Sequence, residues 1–341
     1  MPEVLMLAKD DWANTGWRFF KCIQSLGIDI LALKSHYHRM AYPEQIPIHP
    51  VMAVAGAKQK NAAWINIPEL IVYANKAKVI HYIGSCVIFC GVELNDKKVV
   101  MQHGGTAYRN HYKDMNEAYE DFVDVSIIQC PDLLGLGAKN EQWIYYPVDT
   151  DYIKPDFTTK DKLVIGHFPS NPDVKGSNAI TKVIRKLESD PEYKNRFEYI
   201  GIRSDKKHTW SKEFIKDCLV YWVDNLQRLK KCDIIIETMA LSLQGETYGE
   251  WGNTAIESAA LGNIVVTNSL TSEQYKKEYG DCALNIANNE IELESTLKRL
   301  LSYSNKEISV LKQRTRQWVE DNHSMPVTAQ RIWNKVYKHL I

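Results

Sequence analysis

Short apolar runs alternate with longer amphipathic stretches along the chain. The run Val4–Ala8 has the length of a buried strand, and a polar turn separates it from a stretch in which Phe19 and Ile23 recur at helical spacing. Gly27 ends this helix, and residues 28–33 form the next apolar run. Strand, loop, helix and strand in this order predict the opening of a doubly wound α/β domain.

The same alternation continues and restarts once, after a polar segment at residues 154–162. Further strands are predicted at residues 79–84, 98–102, 124–130, 163–168, 197–202, 219–223, 233–237 and 264–266, with helices at 178–187, 226–231, 254–261 and 326–340. Residues 85–92 are predicted as a helix or turn, and 61–76 as partly helical with Pro68 opening the second piece. The pattern predicts two α/β domains, at 1–155 and 156–324, with the polar segment as linker.

Composition and charge narrow the class of protein. The 341 residues are 45% hydrophobic, which supports two real cores, and the net charge of +0 gives no global basic field for nucleic acid or anionic lipid. The cysteines number seven, an odd and scattered set, which indicates reduced thiols and a cytoplasmic protein. No signal peptide or membrane-spanning stretch is evident, so contact with a membrane would be peripheral, at its inner face.

The most informative stretch is residues 248–267, which predicts a loop, a helix, a tight turn and a buried strand. Gly249 and Gly252 lie in the loop, and Asn253 or Thr254 can cap the helix that follows. A helix N-terminus behind a glycine-rich loop presents free N–H groups that suit a phosphate or sugar hydroxyls. Glu257 has two interpretations: it closes a capping box with Thr254, or its carboxylate accepts hydrogen bonds from a ribose diol.

Two other glycine-marked loops carry candidate chemistry. His103-Gly104-Gly105 follows a predicted strand, at the sheet edge where ligands gather in open α/β folds. His103 either caps a turn there or contacts a ligand through its ring nitrogens. In the second half, Lys175-Gly176 precedes a helix, where a lysine can place a positive charge on a pyrophosphate or simply lie on the surface.

The stretch 248–267 resembles the donor-site signature of retaining GT-B glycosyltransferases of the family-four, group 1 type. In that signature two glutamates, separated by seven residues, bracket a glycine-aromatic-glycine turn. Glu257 matches the second glutamate, which implies a contact with the ribose of the donor. The first glutamate falls on Gly249, and Glu250, one residue later, is the candidate to replace it at the transferred sugar.

The resemblance covers nearly the whole chain and assigns further residues. It implies that His103 contacts the transferred hexose and that Lys175 matches the lysine of a phosphate-binding arginine–lysine pair whose arginine is missing here. The first loop, with Gly16, would lie near the donor phosphates, and Gly252, Asn253 and Thr254 would face the donor as the start of the helix. It also implies two Rossmann-like domains facing across a cleft, with a C-terminal helix at 325–341 packing back on the first domain.

The activity implied is transfer of a hexose or pentose from a nucleotide-diphosphate sugar, with a UDP-sugar favoured, to a hydroxyl with retention of anomeric configuration. No metal ion and no other cofactor is expected, and no stable protein partner. The expected acceptor is a glycan or a lipid-linked saccharide. Two alternatives stay open: a phage-type enzyme that glycosylates hydroxylated pyrimidines in DNA, and an inactive homologue that only binds the nucleotide-sugar.

Overall fold

The chain divides into two compact units, Met1–Pro147 together with Ser324–Ile341, and Val148–His323. The computed structural model describes residues 2–36, 40–48, 62–64, 68–89, 94, 96–204, 218, 220–239, 242–243, 246–247 and 250–341. Gly249, a predicted donor contact, lies outside these residues.

The first unit is built on a parallel sheet. Its strands and helices before Pro147 are β1 (Val4–Ala8), α1 (Thr15–Ser25), β2 (Ile30–Lys34), β3 (Ala62–Trp64), α2 (Pro68–Lys76), β4 (Val79–Ile83), β5 (Val87–Phe89), β6 (Lys98–His103), α3 (Gly105–Tyr119), β7 (Val125–Ile128) and β8 (Glu141–Trp143). Among the described residues, six of these strands form one sheet in the order β2-β1-β4-β6-β7-β8, and β3 pairs with β5 separately. All pairs in both sheets are parallel.

Burial explains why the central strands of this sheet read as continuous apolar runs. The five residues of β1 pair with both β2 and β4, and each is 0% exposed. A parallel strand covered on both faces has no solvent side, so it needs no alternating polar positions. One face packs against Phe19 and Ile23 of α1, and the other against Leu70 and Ala74 of α2.

The second unit repeats the plan with a smaller sheet. Its elements are β9 (Leu163–His167), α4 (Ser177–Ser189), β10 (Phe197–Gly201), α5 (Trp222–Lys230), β11 (Ile234–Ile236), β12 (Ser242–Leu243), β13 (Glu246–Thr247), α6 (Asn253–Ala260), β14 (Ile264–Thr267), α7 (Ser272–Tyr279), β15 (Asn285–Ile286), α8 (Glu290–Ser302) and α9 (Asn305–Asn322). In the part of the chain that is described, five parallel strands run in the order β10-β9-β11-β14-β15, and β12 and β13 form a short antiparallel pair. Residues Ile180, Ile184 and Leu297 join the core of this sheet.

The last helix, α10 (Met325–Lys335), belongs to the first unit. Ile332 and Val336 are buried in the same core as β1 and α1. The Tyr337 hydroxyl lies 2.8 Å from Nδ1 of the buried His81 in β4, so the C-terminal segment is tied to the sheet by a buried polar contact as well as by packing.

Two of the predicted elements are wrong. The apolar residues at 219–223 are not a strand where they are described, because Trp222 begins α5, in which Trp222, Leu226 and Leu229 are buried at i, i+4 and i+7. Residues 87–89 are a strand rather than a helix or turn, since they pair with β3, a partner distant in sequence. The final helix ends at Lys335 and continues only as a 3-10 turn, Tyr337–His339, instead of reaching residue 340.

Candidate functional site

The N-terminus of α6 is the centre of the candidate site in the second unit. Gly252 is its N-cap, in an extended conformation and without a side-chain capping bond. The residue before it, Trp251, is 2% exposed and packs on Tyr275 and Trp318 with ring centroids 5.0 and 5.5 Å away. This packing fixes the loop, so the first N–H groups of α6, at Asn253 and Thr254, have a defined direction.

Glu250 fixes the same loop from the other side. Its Oε1 accepts hydrogen bonds from the backbone N–H groups of Leu270, at 2.7 Å, and Thr271, at 3.1 Å. The side chain is buried and links the loop before α6 to the turn before α7. The structure therefore gives Glu250 an architectural contact, and its role at a transferred sugar stays a prediction.

Glu257 lies one turn into α6 and is 2% exposed. Its Oε1 accepts a hydrogen bond of 2.9 Å from the indole Nε1 of Trp222, the first residue of α5. No capping box forms with Thr254, because the N-cap is Gly252 and Thr254 lies inside the helix. Trp222 also stacks on Tyr152, with centroids 5.5 Å apart, and Tyr152 is 54% exposed.

Lys175 reaches a residue that the sequence analysis did not select. Its Nζ donates to Oε1 of Glu237 at 2.5 Å, and Glu237 follows directly after β11. A Cβ built on Gly252 would lie 3.8 Å from the same Oε1, so the ion pair stands beside the N-terminus of α6. We refer to Lys175, Glu237, Gly252, Trp222 and Glu257 as the α6 cluster.

His167 is a second residue that the sequence analysis did not select. It ends β9, and its Nδ1 donates to the carbonyl of Ile236 while its Nε2 accepts from the hydroxyl of Ser177, both at 2.7 Å. Complete burial lowers the pKa of His167 to about 4, so the ring is neutral at pH 7. The ring thereby joins the end of β11, which Glu237 follows, to the start of α4, which Lys175 precedes.

The signal that could have revealed both residues is their position. Glu237 and His167 each come directly after a buried apolar run, at the carboxyl end of a parallel strand, where side chains reach the ligand edge of the sheet.

Gly16 lies in the first unit, and its backbone N–H is hydrogen-bonded to a neighbouring carboxylate. Oδ1 of Asp11 accepts from Gly16 N at 2.6 Å, and Oδ2 accepts from Trp17 N at 2.9 Å. A Cβ on Gly16 would come within 3.0 Å of Asp11 Oδ1, so the glycine allows this close approach. Burial raises the pKa of Asp11 to about 6, against these hydrogen bonds and the charges of Lys34 and Arg18, which lower it. A contact of Gly16 with a donor stays a prediction.

His103 ends β6 and is 2% exposed. Its Nδ1 lies 3.0 Å from the Ser85 hydroxyl, and its ring packs on Tyr108 with centroids 4.0 Å apart. Burial lowers the pKa of His103 to about 3, which keeps the imidazole neutral. It also lines a cavity of about 460 Å³ within the first unit, together with Tyr119 and Ser126.

The structure thus brings together part of the predicted set. Lys175, Gly252 and Glu257 belong to the α6 cluster, and Asn253 and Thr254 begin the same helix, whereas His103 and Gly16 belong to the other unit. Within the described ranges, no group of three or more His, Cys, Asp or Glu side chains could hold a metal ion, and no helix is long and apolar enough to cross a membrane.

Two Rossmann-like units with parallel sheets in these strand orders define the GT-B fold, and solved structures agree. The Anabaena protein Alr3699/HepE, solved in complex with UDP and glucose, matches with a TM-score of 0.62 over 99% of this chain and 100% of its own, at 11% identity. Sucrose-phosphate synthase from Thermosynechococcus elongatus matches with a TM-score of 0.59 over 99% of both chains, at 13% identity.

A third match shows that the fold alone does not decide the activity. The N-terminal domain of Candida albicans trehalose-6-phosphate phosphatase has a TM-score of 0.62 over 100% of this chain and 97% of its own, at 11% identity. No protein-family model matches the chain, and no curated protein matches its sequence. The residues of the α6 cluster, rather than the fold, therefore indicate the function.

Proposed function

We propose that this protein is a glycosyltransferase that uses a nucleotide-diphosphate sugar, with a UDP-sugar as the favoured donor. The observation that carries the proposal is that Lys175 forms an ion pair with Glu237, whose carboxylate lies beside the N-terminus of α6. A lysine charge beside the N-terminus of a helix, where the helix dipole is positive, is an arrangement that binds phosphate groups. Neighbours of the same fold that are solved with UDP and with UDP-glucose support a nucleotide-sugar as the ligand.

Glu257 is the proposed ribose contact. A carboxylate has two oxygens and about four lone-pair sites, so it can accept from ribose hydroxyls while keeping the bond from Trp222. Its burial favours this role, because a buried carboxylate gains more from each charge-assisted hydrogen bond than an exposed one.

We further propose that transfer proceeds with retention and without a divalent metal ion. Lys175 and the α6 N-terminus, with Asn253 and Thr254, would stabilise the charge that develops on the leaving diphosphate. Gly249 and Gly252, which carry no Cβ, are proposed to face the donor. Glu250 is proposed to contact the transferred sugar in addition to its hydrogen bond with the backbone N–H of Leu270.

The proposed acceptor is a hydroxyl of a glycan or lipid-linked saccharide, with His103 orienting the transferred sugar. The neutral ring of His103 suits this task, since it can give or take one hydrogen bond without adding charge. The net charge of +0 makes a DNA acceptor the weaker alternative, because phosphate contacts supply most of such affinity.

A donor panel tests the proposal. Purified protein is incubated with UDP-glucose, UDP-galactose and UDP-N-acetylglucosamine, and release of UDP is followed with and without oligosaccharide acceptors. Release with one donor, lost in Glu257→Ala, would support a transferase and name its sugar. UDP binding without release from any donor would favour the inactive homologue, and no binding of any donor would overturn the proposal.

A further inference from the structure

We propose that Glu237 is the positioning residue for Lys175, and that it acts on the donor only through that lysine. This inference rests on the proposed function, in which Lys175 contacts the donor diphosphate. The pair is largely removed from water: the Lys175 side chain is 24% exposed and that of Glu237 is 2% exposed.

Glu237 is itself held from two directions. Its Oε2 lies 3.3 Å from the Thr267 hydroxyl, which donates to it, and its backbone N–H donates to the carbonyl of Val266 at 2.9 Å. Both partners belong to β14, the strand beside β11. The Glu237 carboxylate is therefore held in place by the sheet, and it can restrict the position of the flexible Lys175 side chain.

Lys175 is bound to the same segment by its main chain. Its carbonyl accepts from the N–H of Met239 at 3.0 Å, two residues after Glu237. The loop before α4 and the segment after β11 thus meet at two points, one in the backbone and one in the side chains. This double link sets where Nζ lies relative to the N-terminus of α6.

The sign of the charge makes the proposal testable. A lone carboxylate beside a diphosphate repels it, so simple electrostatics predicts that removing Glu237 tightens UDP binding. As a positioning residue, Glu237 instead takes one of the three N–H donors of Lys175 and directs the others, and its removal lets the ammonium swing away from the reacting phosphate. Turnover separates the two effects, because only the positioning role predicts that kcat falls when Glu237 is replaced.

The test is a double-mutant cycle with Glu237→Gln, Lys175→Ala and the pair, using UDP for calorimetry and the active UDP-sugar of the donor panel for kinetics. We expect Glu237→Gln to lower kcat about 10–100-fold with KM changed much less. In the Lys175→Ala background the same substitution should have no further effect on kcat.

A matched control separates stability from positioning. Asp233→Asn removes another buried acid of the same unit, which pairs with Lys312 at 3.2 Å, and it should lower Tm while leaving kcat unchanged. If Glu237→Gln does not fold, Thr267→Val removes one support of the carboxylate without changing its charge, and it should lower kcat by a smaller factor.

Several outcomes would overturn the inference. Tighter UDP binding with unchanged kcat would show that Glu237 only adds repulsion, and an equal loss of kcat with and without Lys175 would show that it acts independently. If UDP binding is lost in Lys175→Ala while Glu237→Gln leaves kcat unchanged, the inference is overturned and the proposed function stands. If wild type neither binds UDP nor releases it from a donor, both the inference about Glu237 and the proposed function are overturned.

Discussion

At the scale of single residues, the hydrogen bond from Trp222 to Glu257 shows what the sequence could and could not reveal. Glu257 was selected as a candidate because it matches the second glutamate of the family signature, whereas its spacing alone also fitted a capping box. Its partner lies 35 positions away on another helix, and the sequence analysis placed Trp222 in a strand. A buried carboxylate needs a donor, but the sequence alone does not say which one.

Replacing Trp222 with Phe should weaken both folding and donor binding. The ring stays, but Glu257 loses a hydrogen bond in a buried place, which costs about 1–3 kcal/mol of unfolding free energy. UDP affinity should fall as well, because the carboxylate is no longer fixed. Urea unfolding and calorimetry measure the two effects. UDP affinity that Trp222→Phe leaves unchanged would contradict the account.

At the scale of elements, α6 depends on a residue of α9 at its C-terminal end. Arg316 Nη1 donates to the carbonyls of Ala260, the last residue of α6, and Ile153, at 2.6 and 2.7 Å. Its Nη2 donates to the carbonyl of Thr150 at 2.8 Å. A cation that satisfies helix C-terminal carbonyls is favourable, and here it also ties α6 to the segment before β9.

Arg316→Ala should cost about 2–4 kcal/mol of unfolding free energy, since it leaves two buried carbonyl groups and one partly buried carbonyl group without this donor. Arg316→Lys should recover a part of it, because an ammonium cannot reproduce the planar fork. Arg314→Ala, at an exposed position of the same helix, is the matched control and should stay within about 0.5 kcal/mol of wild type. Similar losses in both alanine variants by urea unfolding would refute this role.

The elements themselves were largely predictable, and the exceptions have physical causes. β1, β4 and β9 were evident as apolar runs because both of their faces are buried. The strand β5 was missed because its pairing partner, β3, is distant in the chain and leaves no local signal. A short apolar segment at the start of a helix, as at Trp222, fits both the helical and the strand periodicity. Tertiary packing then determines which of the two forms.

At the scale of the whole molecule, His81, His103 and His167, three of the buried histidines, and the buried Asp11 couple folding to pH. The pKa values of His81 and His103 are lowered to about 3 and that of His167 to about 4, in each case mainly by burial. These rings contribute stability above the unfolded pKa near 6.5 that is lost as pH falls towards the folded values. Asp11, with its pKa raised to about 6, has the opposite sign: its contribution is present at low pH and is lost as pH rises through 6.

The proton count gives the expected slope. In the first unit, two histidines favour proton uptake on unfolding and Asp11 opposes it, which leaves one proton; in the second unit His167 contributes one. Between about pH 6 and 5, these groups should lower the unfolding free energy of each unit by about 1.4 kcal/mol per pH unit. Urea unfolding across pH 5–7 checks this, and His167→Gln should reduce the slope of the second unit only. A stability that does not change over this range would contradict the buried, neutral state of these rings.

Two α/β units could be predicted from the alternating strands and helices, and the GT-B fold from the family resemblance of residues 248–267. The chemistry of the site was less accessible. Lys175 and Glu257 were selected because they match motif positions of the family beside glycine-marked loops, whereas Glu237 and His167 are partners brought together only when the strand ends meet.

The central claim is that the α6 cluster binds the diphosphate of a nucleotide, and calorimetric titration with UDP tests it most directly. Wild type should bind, Lys175→Ala should lose about tenfold or more in affinity with the charge-assisted contact, and Lys182→Ala, an exposed lysine of α4, should bind like wild type. Binding that Lys175→Ala leaves unchanged, or no binding by wild type, would contradict the account.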